Sequence, residues 1–427
     1  MLIEFSVTNF RSIQSRQTLS LAKSKLNESK ELDQNTFTPS ELPGLGLLRS
    51  AAIYGPNAAG KSNLLLALRT MKNIVVESAT EWQRGDEVPV SPFRLDPQSA
   101  MAPTEFEVTF IAEGVRYQYG FAATRVQIIE EWLIAHPKVR AQHWFARRWD
   151  EKKGDYDWEM GSALQGQKQL WQESTRSNAL FLSTAVQLNS QQLQPVYDWF
   201  KKTLRTTSTA GWGGPGFTAS LCGEPANKAK VLSFLKAADI DIHDVLVEKK
   251  VFDANDLPDD MPDEIKAMIV KKMKGKEVLA ELNTVHQDST GKPIAFDFEE
   301  ESYGTQKLFS FAGPWLDTLK NGYVLFIDEL HDNLHPKLVQ FLVGLFHSDE
   351  TNPKNAQLVF TTHETSILNQ EMFRRDQVWF CEKSDHRSTT LFPLTDFSPR
   401  KGRENLEMTY LAGRYGALPY VRKLKAG

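Results

Sequence analysis

Cysteine is scarce: Cys222 and Cys381 are the only two in 427 residues and stand far apart. That excludes a dense disulfide framework and a thiolate zinc site, so a reducing cytoplasm is the expected compartment. Long apolar runs are missing as well. None approaches the roughly 18 residues of a membrane span, and the opening MLIEFSVTNFRSIQ has neither the basic segment nor the continuous apolar stretch of a secretory signal. No membrane partner is expected. Nor is there a positive excess, since 50 Lys and Arg face 54 Asp and Glu for a net charge of −4. No global field therefore draws in nucleic acid, although a local basic groove stays open. Internal repeats and heptad runs long enough for a coiled-coil arm are also absent.

What remains is an ordinary globular composition with room for one large core or two to three smaller ones, at roughly 100 to 200 residues each. Leu2, Glu4 and Ser6 alternate with Ile3, Phe5 and Val7, the period of a strand. A second apolar run, Ala51 to Tyr54, leads into YGPNAAGKSN, after which Leu64, Leu65, Leu68, Met71, Ile74 and Val75 recur at helical spacing. Between them, residues 23 to 48 are polar and turn-rich, an insertion or a mobile loop. From Phe93 to Trp132 the period is 2, predicting an antiparallel hairpin or meander. Residues 135–290 are less periodic and carry helical patches such as Ala226 to Ala238, with GWGGPG at 211 to 216 as a loop or hinge. Residues 253 to 276 turn from acidic to basic, a solvated excursion or a partner-binding face. Tyr323 to Ile327 and Leu358 to Thr361 then look like buried parallel strands, separated by the helical stretch Leu338 to Phe346. The two ends of the chain predict one α/β unit with the middle inserted into it.

Four segments carry chemistry. Gly55, Gly60, Lys61 and Ser62 fit G-x-x-x-x-G-K-[ST], in which glycines let successive N–H groups curl around phosphates. Lys61 adds a point charge and the Ser62 hydroxyl can ligate Mg²⁺, while Asn57 and Asn63 lie within the same nucleotide-binding stretch. VLFIDEL at 324 to 330 delivers Asp328 to the same metal at the end of an apolar strand, and Glu329 is placed to orient or deprotonate a water. In ESYGTQKLF at 301 to 309, Ser302, Gly304 and Thr305 open a helix and offer a hydroxyl and backbone donors. LVFTTHETSIL at 358 to 368 ends a strand at His363, whose imidazole can bond a γ-phosphate. ATP and Mg²⁺ are the cofactors this set predicts.

Together these segments resemble the ABC-type ATPases of the RecF/SMC/OLD-like group. The resemblance is nearest to stand-alone ATPases of bacterial anti-phage systems, such as the abortive-infection L ATPase and the sensor ATPase of PARIS. It rests on ESYGTQKLF, IDELHDNLHP, FTTHETSIL, FRRDQVWFCEK and YLAGRYGALP, at both ends of the chain. The N-terminal Asn9-Phe10-Arg11-Ser12 is similar to a motif of that group whose Arg, here Arg11, lies near the nucleotide. Two departures stand out: His331 and Asn333 replace the usual Asp and Ser before Leu334-His335-Pro336, and the family's lateral glutamine has no obvious counterpart, the region around Phe93 being the place to look.

The resemblance implies an α/β fold with an ABC-ATPase-like core: a mixed sheet with the phosphate loop, an antiparallel β subdomain, and an inserted, mainly helical central domain. The implied domains are 1–134 and 291–427 for the core, and 135–290 for a sensor or interaction domain. It further implies a homodimeric unit, with ATP held between Lys61 of one chain and Ser302 of the other. The implied role is an ATPase switch in abortive infection, triggered by a phage protein and acting on a separately encoded nuclease. A RecF-like repair ATPase that binds DNA is the alternative, disfavoured by the acidic balance.

Overall fold

The computed structural model describes residues 1–138, 140–207, 214–257, 261–275 and 277–419. Chain contacts divide it into two units, one of residues 1–209, 318–332 and 339–427, the other of residues 210–317 and 333–338.

In the first unit, Phe106, Val108 and Phe110 are buried and alternate with half-exposed Glu105, Glu107 and Thr109 along the strand Thr104–Ala112. That period of 2 gives a sheet with one face in the core. Its neighbours are Val115–Ala123 on one side and Leu2–Thr8 on the other, within a seven-stranded sheet that is antiparallel throughout. The predicted meander is present and longer than expected. It continues through Ile128–His136, Gln142–Asp150 and Asp155–Met160.

The other sheet of this unit has six strands in the order Leu204–Thr207, Val324–Ile327, Gln357–Thr361, Ser50–Tyr54, Val378–Lys383 and Thr389–Pro393. All but the last pairing are parallel. Every residue of Val324–Ile327, Gln357–Thr361 and Ser50–Tyr54 is buried, as a parallel strand covered on both faces must be. The helix Lys61–Glu77 joins the two sheets. Its Leu64, Leu68, Met71 and Ile74 share one buried cluster with Phe5, Phe106 and Phe110 of the larger sheet and with Ile53, Phe326 and Val359 of the smaller. The fold of this unit is mixed α/β, one antiparallel and one mainly parallel sheet joined by a helix.

Of the two readings of residues 23 to 48, an insertion or a mobile loop, the anchored contacts favour the insertion. Ser24 donates from its N–H and its hydroxyl to Asp376 at 3.0 and 2.6 Å, Arg375 Nε donates to Glu28 at 2.8 Å, and Asn35 donates to Gln377 Oε1 at 2.7 Å. Leu32, Leu47 and Leu48 are buried. The segment is polar because its anchors are polar: the Arg374-Arg375-Asp376-Gln377 run fixes it, and that pairing is too remote in sequence to read locally.

The expected central domain at 135–290 is also placed differently. Its first part supplies two strands to the seven-stranded sheet, because Trp144 and Phe145 are buried in that sheet's core. The second unit instead starts at 210, and among its described residues the helices are accompanied by a sheet. It holds the antiparallel sheet Asp244–Val251, Glu277–Gln287 and Pro293–Asp297, with the helices Gly216–Cys222, Pro225–Ala237 and Asp263–Met273. Part of the 253 to 276 excursion is therefore a helix, while Asp259, Asp260 and Lys276 lie outside the described residues, as do residues 211 to 213 of GWGGPG. The helix Tyr303–Asn321 begins in this unit. Among the described residues, no helix is long and apolar enough to cross a membrane.

Candidate functional site

The buried strand Ser50–Tyr54 ends in a loop that turns on Gly55 and Gly60 before the helix Lys61–Glu77 begins. Both glycines have left-handed φ, +152° and +110°, and both are crowded. A Cβ on Gly55 would meet the Cys381 carbonyl oxygen at 2.1 Å, and one on Gly60 would meet Thr389 Oγ1 at 2.0 Å. Thr389 is itself fixed, donating to the Ala59 carbonyl at 2.8 Å and lying 2.7 Å from Ser12 Oγ. Asn63 Nδ2 donates to Ser12 at 2.7 Å. The loop is thus held from behind by the strands Val378–Lys383 and Thr389–Pro393 and by Ser12. Replacing Gly60 by alanine forces a backbone strain of about 1–3 kcal/mol besides the clash, and nucleotide affinity is expected to fall on the order of a hundredfold. A fluorescent ATP analogue titrated against both proteins reads this directly.

Lys61 is buried at 5% exposure, and its Nζ donates to the carbonyls of Gly55 at 2.7 Å and Pro56 at 3.0 Å, 3.5 Å from His363 Nε2. Burial lowers its pKa from the ordinary value, while Asp328 and Glu329 pull the other way. Asp328 Oδ1 accepts from Thr361 Oγ1 at 2.6 Å, and the Glu329 N–H donates to the same hydroxyl at 2.7 Å. Thr361 therefore clamps the Asp-Glu pair from the adjacent parallel strand. Glu329 has φ of 51°, and its Oε1 stands 3.8 Å from His363 Nε2. The imidazole of His363 has a lowered pKa, first through burial and then through the Lys61 ammonium, so it is neutral near pH 7.

These groups surround one cavity of about 410 Å³, lined by Asn57, Lys61, Ser62, Asn63, Glu329 and His363 among others. Ser62 and Asp328 also meet in a smaller cavity of about 170 Å³, with Arg11 and Arg69. The residues fit a magnesium nucleotide. The glycine cradle leaves no room for side chains, the first turn of Lys61–Glu77 has N–H groups without intrahelical acceptors, and a hydroxyl with one carboxylate is the sparse protein ligation Mg²⁺ accepts beside phosphates. Among the described residues no cluster of three His, Cys, Asp or Glu could hold a metal on its own.

Several contributors were not visible in the sequence. Lys383 lines the main cavity, and with Arg11, Arg94 and Arg387 it surrounds an adjoining space of about 500 Å³ beside Phe93. Four cations converge there from three separate segments. His331, one of the two family departures, packs its ring edge-on to His363 with centroids 5.3 Å apart. Phe93 is buried, its N–H donating to Asn9 Oδ1 at 2.9 Å. No glutamine lines the described cavities beside it. Thr206 and Thr207, at the end of an edge strand, line the smaller cavity together with Asp328.

Ser302, Gly304 and Thr305 belong to the second unit. There Ser302 caps the helix Tyr303–Asn321: the Thr305 N–H donates to its Oγ at 3.2 Å, and the two hydroxyls are 2.9 Å apart. Glu301 beside it accepts from Thr284 Oγ1 at 2.6 Å and lies 2.7 Å from His286 Nε2, which anchors the segment to the three-stranded sheet.

A protein-family profile described as "AAA domain, putative AbiEii toxin, Type IV TA system" matches residues 50–369, three quarters of the chain, a span that takes in the four segments at 55–62, 301–309, 324–330 and 358–368 and leaves out Arg11, Lys383 and Arg387. The chain belongs to this family. No curated protein matches it. Among solved structures, the AAA-family chain is similar to the SMC head domain from Thermotoga maritima, at 11% identity and a TM-score of 0.39, covering 92% of this chain and 98% of that one. It is also similar to the recombination mediator RecF with a bound ATP analogue (12% identity, TM-score 0.29, 92% and 98% covered). A third likeness is to cbiO1 from Clostridium perfringens, part of an ABC transporter complex (10% identity, TM-score 0.30, 89% and 92% covered).

Proposed function

We propose that this AAA-family chain is an ATP-hydrolysing switch of a bacterial anti-phage system, which senses an infection trigger and controls a separately encoded toxic effector, a Toprim-like nuclease. The hydrolytic part is supported best by the convergence of Lys61, Ser62, Glu329 and His363 on one cavity, though they come from three strands far apart in sequence. Lys61 exchanges its bonds to the Gly55 and Pro56 carbonyls for phosphate oxygens, and the loop N–H groups supply the remaining donors. Ser62 and Asp328 would hold Mg²⁺, which would neutralise charge on the phosphates. Glu329 orients a water and takes its proton, and neutral His363 bonds the terminal phosphate and reports its presence.

The defence role draws support from the family description, which names a type IV toxin–antitoxin system, and from the segments shared with anti-phage ATPases. In this reading the unit of residues 210–317 is the reader of the input. Two chains meet with ATP between Lys61 of one and Ser302 of the other, so closure is reversible and nucleotide-dependent.

Phosphate release measured on wild type, Lys61→Ala, Ser302→Arg and their equimolar mixture tests this. Each variant alone is expected to be inactive. The mixture should recover about a quarter of wild-type activity, because half of randomly paired dimers are mixed and each holds one intact site. A mixture as silent as its components would rule out the shared site, and a wild type that neither binds nor hydrolyses ATP would rule out the switch. For the effector, co-expression with the product of the adjacent reading frame should yield a complex whose toxicity depends on Lys61.

A further inference from the structure

The segment from 404 to 417 contributes nothing to the cavity, yet it grips both of its rims. On one rim, Glu407 Oε1 accepts from Thr365 Oγ1 at 2.8 Å. Thr365 opens the short 3-10 turn Thr365–Ile367, two residues after His363; Ile367 is buried, and the turn's other hydrogen bonds among the described residues are local, the Glu364 N–H donating to Thr362 Oγ1 at 3.0 Å and the Ser366 N–H to Glu364 Oε1 at 3.0 Å. On the other rim, Tyr410 stacks on Phe380, with centroids 5.2 Å apart and planes at 23°, and meets Tyr54 edge-on at 6.1 Å. Tyr54 directly precedes Gly55, the residue whose carbonyl holds Lys61. Its hydroxyl is fully buried and has no hydrogen-bond partner among the described residues.

The segment closes on itself like a strap. The Tyr410 hydroxyl donates to the Ala417 carbonyl at 2.8 Å, the Tyr415 hydroxyl to Glu404 at 2.6 Å, and the Ala417 N–H to Glu382 at 2.8 Å. Tyr415 packs on Phe380 and Phe397. Local folding of the segment needs none of the contact from Glu407 to Thr365. That contact crosses to a different element, and what it fixes is the turn behind His363.

We propose that this C-terminal strap sets the position of His363, with Glu407 as a positioning residue for hydrolysis; the proposal rests on the ATPase reading. Glu407 restrains the start of the turn, the turn restrains His363, and His363 meets Glu329 and Lys61 across the cavity at 3.8 and 3.5 Å. Small displacements at this range matter, since a shift of about 1 Å in a catalytic group can cost on the order of a hundredfold in rate. The Gly55 rim, which carries the lysine, is packed through the rings of Tyr54, Tyr410 and Phe380, and no hydrogen bond to Glu407 is seen there among the described residues. Releasing Glu407 should therefore slow turnover and leave nucleotide binding intact.

The test is full-length Glu407→Ala, with Glu407→Gln as the conservative control, because an amide oxygen still accepts from Thr365. Turnover of Mg·ATP, affinity for a fluorescent ATP analogue, melting temperature and hydrogen exchange at residues 364–368 are read together. Glu407→Ala should lower kcat on the order of tenfold, leave nucleotide affinity within about twofold of wild type, and speed exchange at 364–368 at an unchanged melting temperature. Glu407→Gln should behave as wild type. Unchanged kcat and unchanged exchange in the alanine variant would overturn the strap, and so would a loss of kcat that merely follows a loss of affinity or of stability. Should the wild type prove to have no ATPase activity, the hydrolytic reading falls on that result. Exchange at 364–368 still decides whether Glu407 holds the turn.

Discussion

Replacing Glu329 by glutamine is expected to lower ATP turnover by about two to four orders of magnitude, the usual worth of a positioned general base, with nucleotide affinity retained. The backbone supports this separation of effects. Glu329 sits at φ of 51°, in a left-handed conformation that favours glycine, and is held there by its N–H bond to Thr361 Oγ1 at 2.7 Å and by the Leu330 N–H bond to the Thr361 carbonyl at 3.1 Å. Neither bond uses the side chain, so the amide isostere should occupy the same place. What it cannot do is take a proton. Lys61 and the glycine cradle, the proposed phosphate-binding groups, are untouched. Phosphate release and analogue binding measured on the same preparation separate the two. Turnover equal to wild type would show that Glu329 is not the group activating water, and the neighbouring imidazole of His363 would become the candidate.

The site was legible in the sequence wherever one short segment carries both the chemistry and its geometry. Gly60-Lys61-Ser62 between a buried strand and a helix, and Asp328-Glu329 at the end of another, are of that kind, because strand, turn and helix periods are local. The groups that complete the cavity are not. Lys383 reaches it only because Val378–Lys383 pairs in parallel with Ser50–Tyr54, and Thr206 lines the smaller cavity with Asp328 only because Leu204–Thr207 adds to the edge at Val324–Ile327. Register of this sort depends on which buried strands become neighbours, and an apolar run of four or five residues does not encode that. The same cause misplaced the middle of the chain. Gln142–Asp150 alternates weakly, with Arg147 buried where an apolar residue would have announced a strand, and Asp155–Met160 alternates strictly but over only six residues, none of them fully buried.

Arg147 leads to the second large effect: Glu131→Ala should destabilise the first unit by about 3–5 kcal/mol, the cost of leaving a buried charge unpaired. Both side chains are fully buried in the seven-stranded sheet, with Arg147 Nε and one terminal nitrogen each 2.9 Å from Glu131 Oε2. Glu131 is more than a counter-ion. It accepts from Tyr119 Oη at 3.0 Å and from the N–H groups of Phe181 and Leu182 at 2.7 and 3.0 Å, so one carboxylate fastens the strand Ile128–His136 to the first turn of the helix Phe181–Gln187. Truncating it strands the guanidinium, a phenol and two amides at once. Arg147 keeps the Ala179 carbonyl and the faces of Tyr156 and Trp158, at 4.8 and 5.5 Å, which cannot replace a carboxylate. The double variant Glu131→Leu with Arg147→Met should recover much of the loss, because apolar groups of similar volume often substitute for a buried ion pair at no net cost. Thermal unfolding of the wild type, Glu131→Leu, Arg147→Met and the double variant forms a cycle. A double variant no more stable than Glu131→Ala would mean that the carboxylate's bonds to Tyr119, Phe181 and Leu182, and not the unpaired arginine, account for the effect.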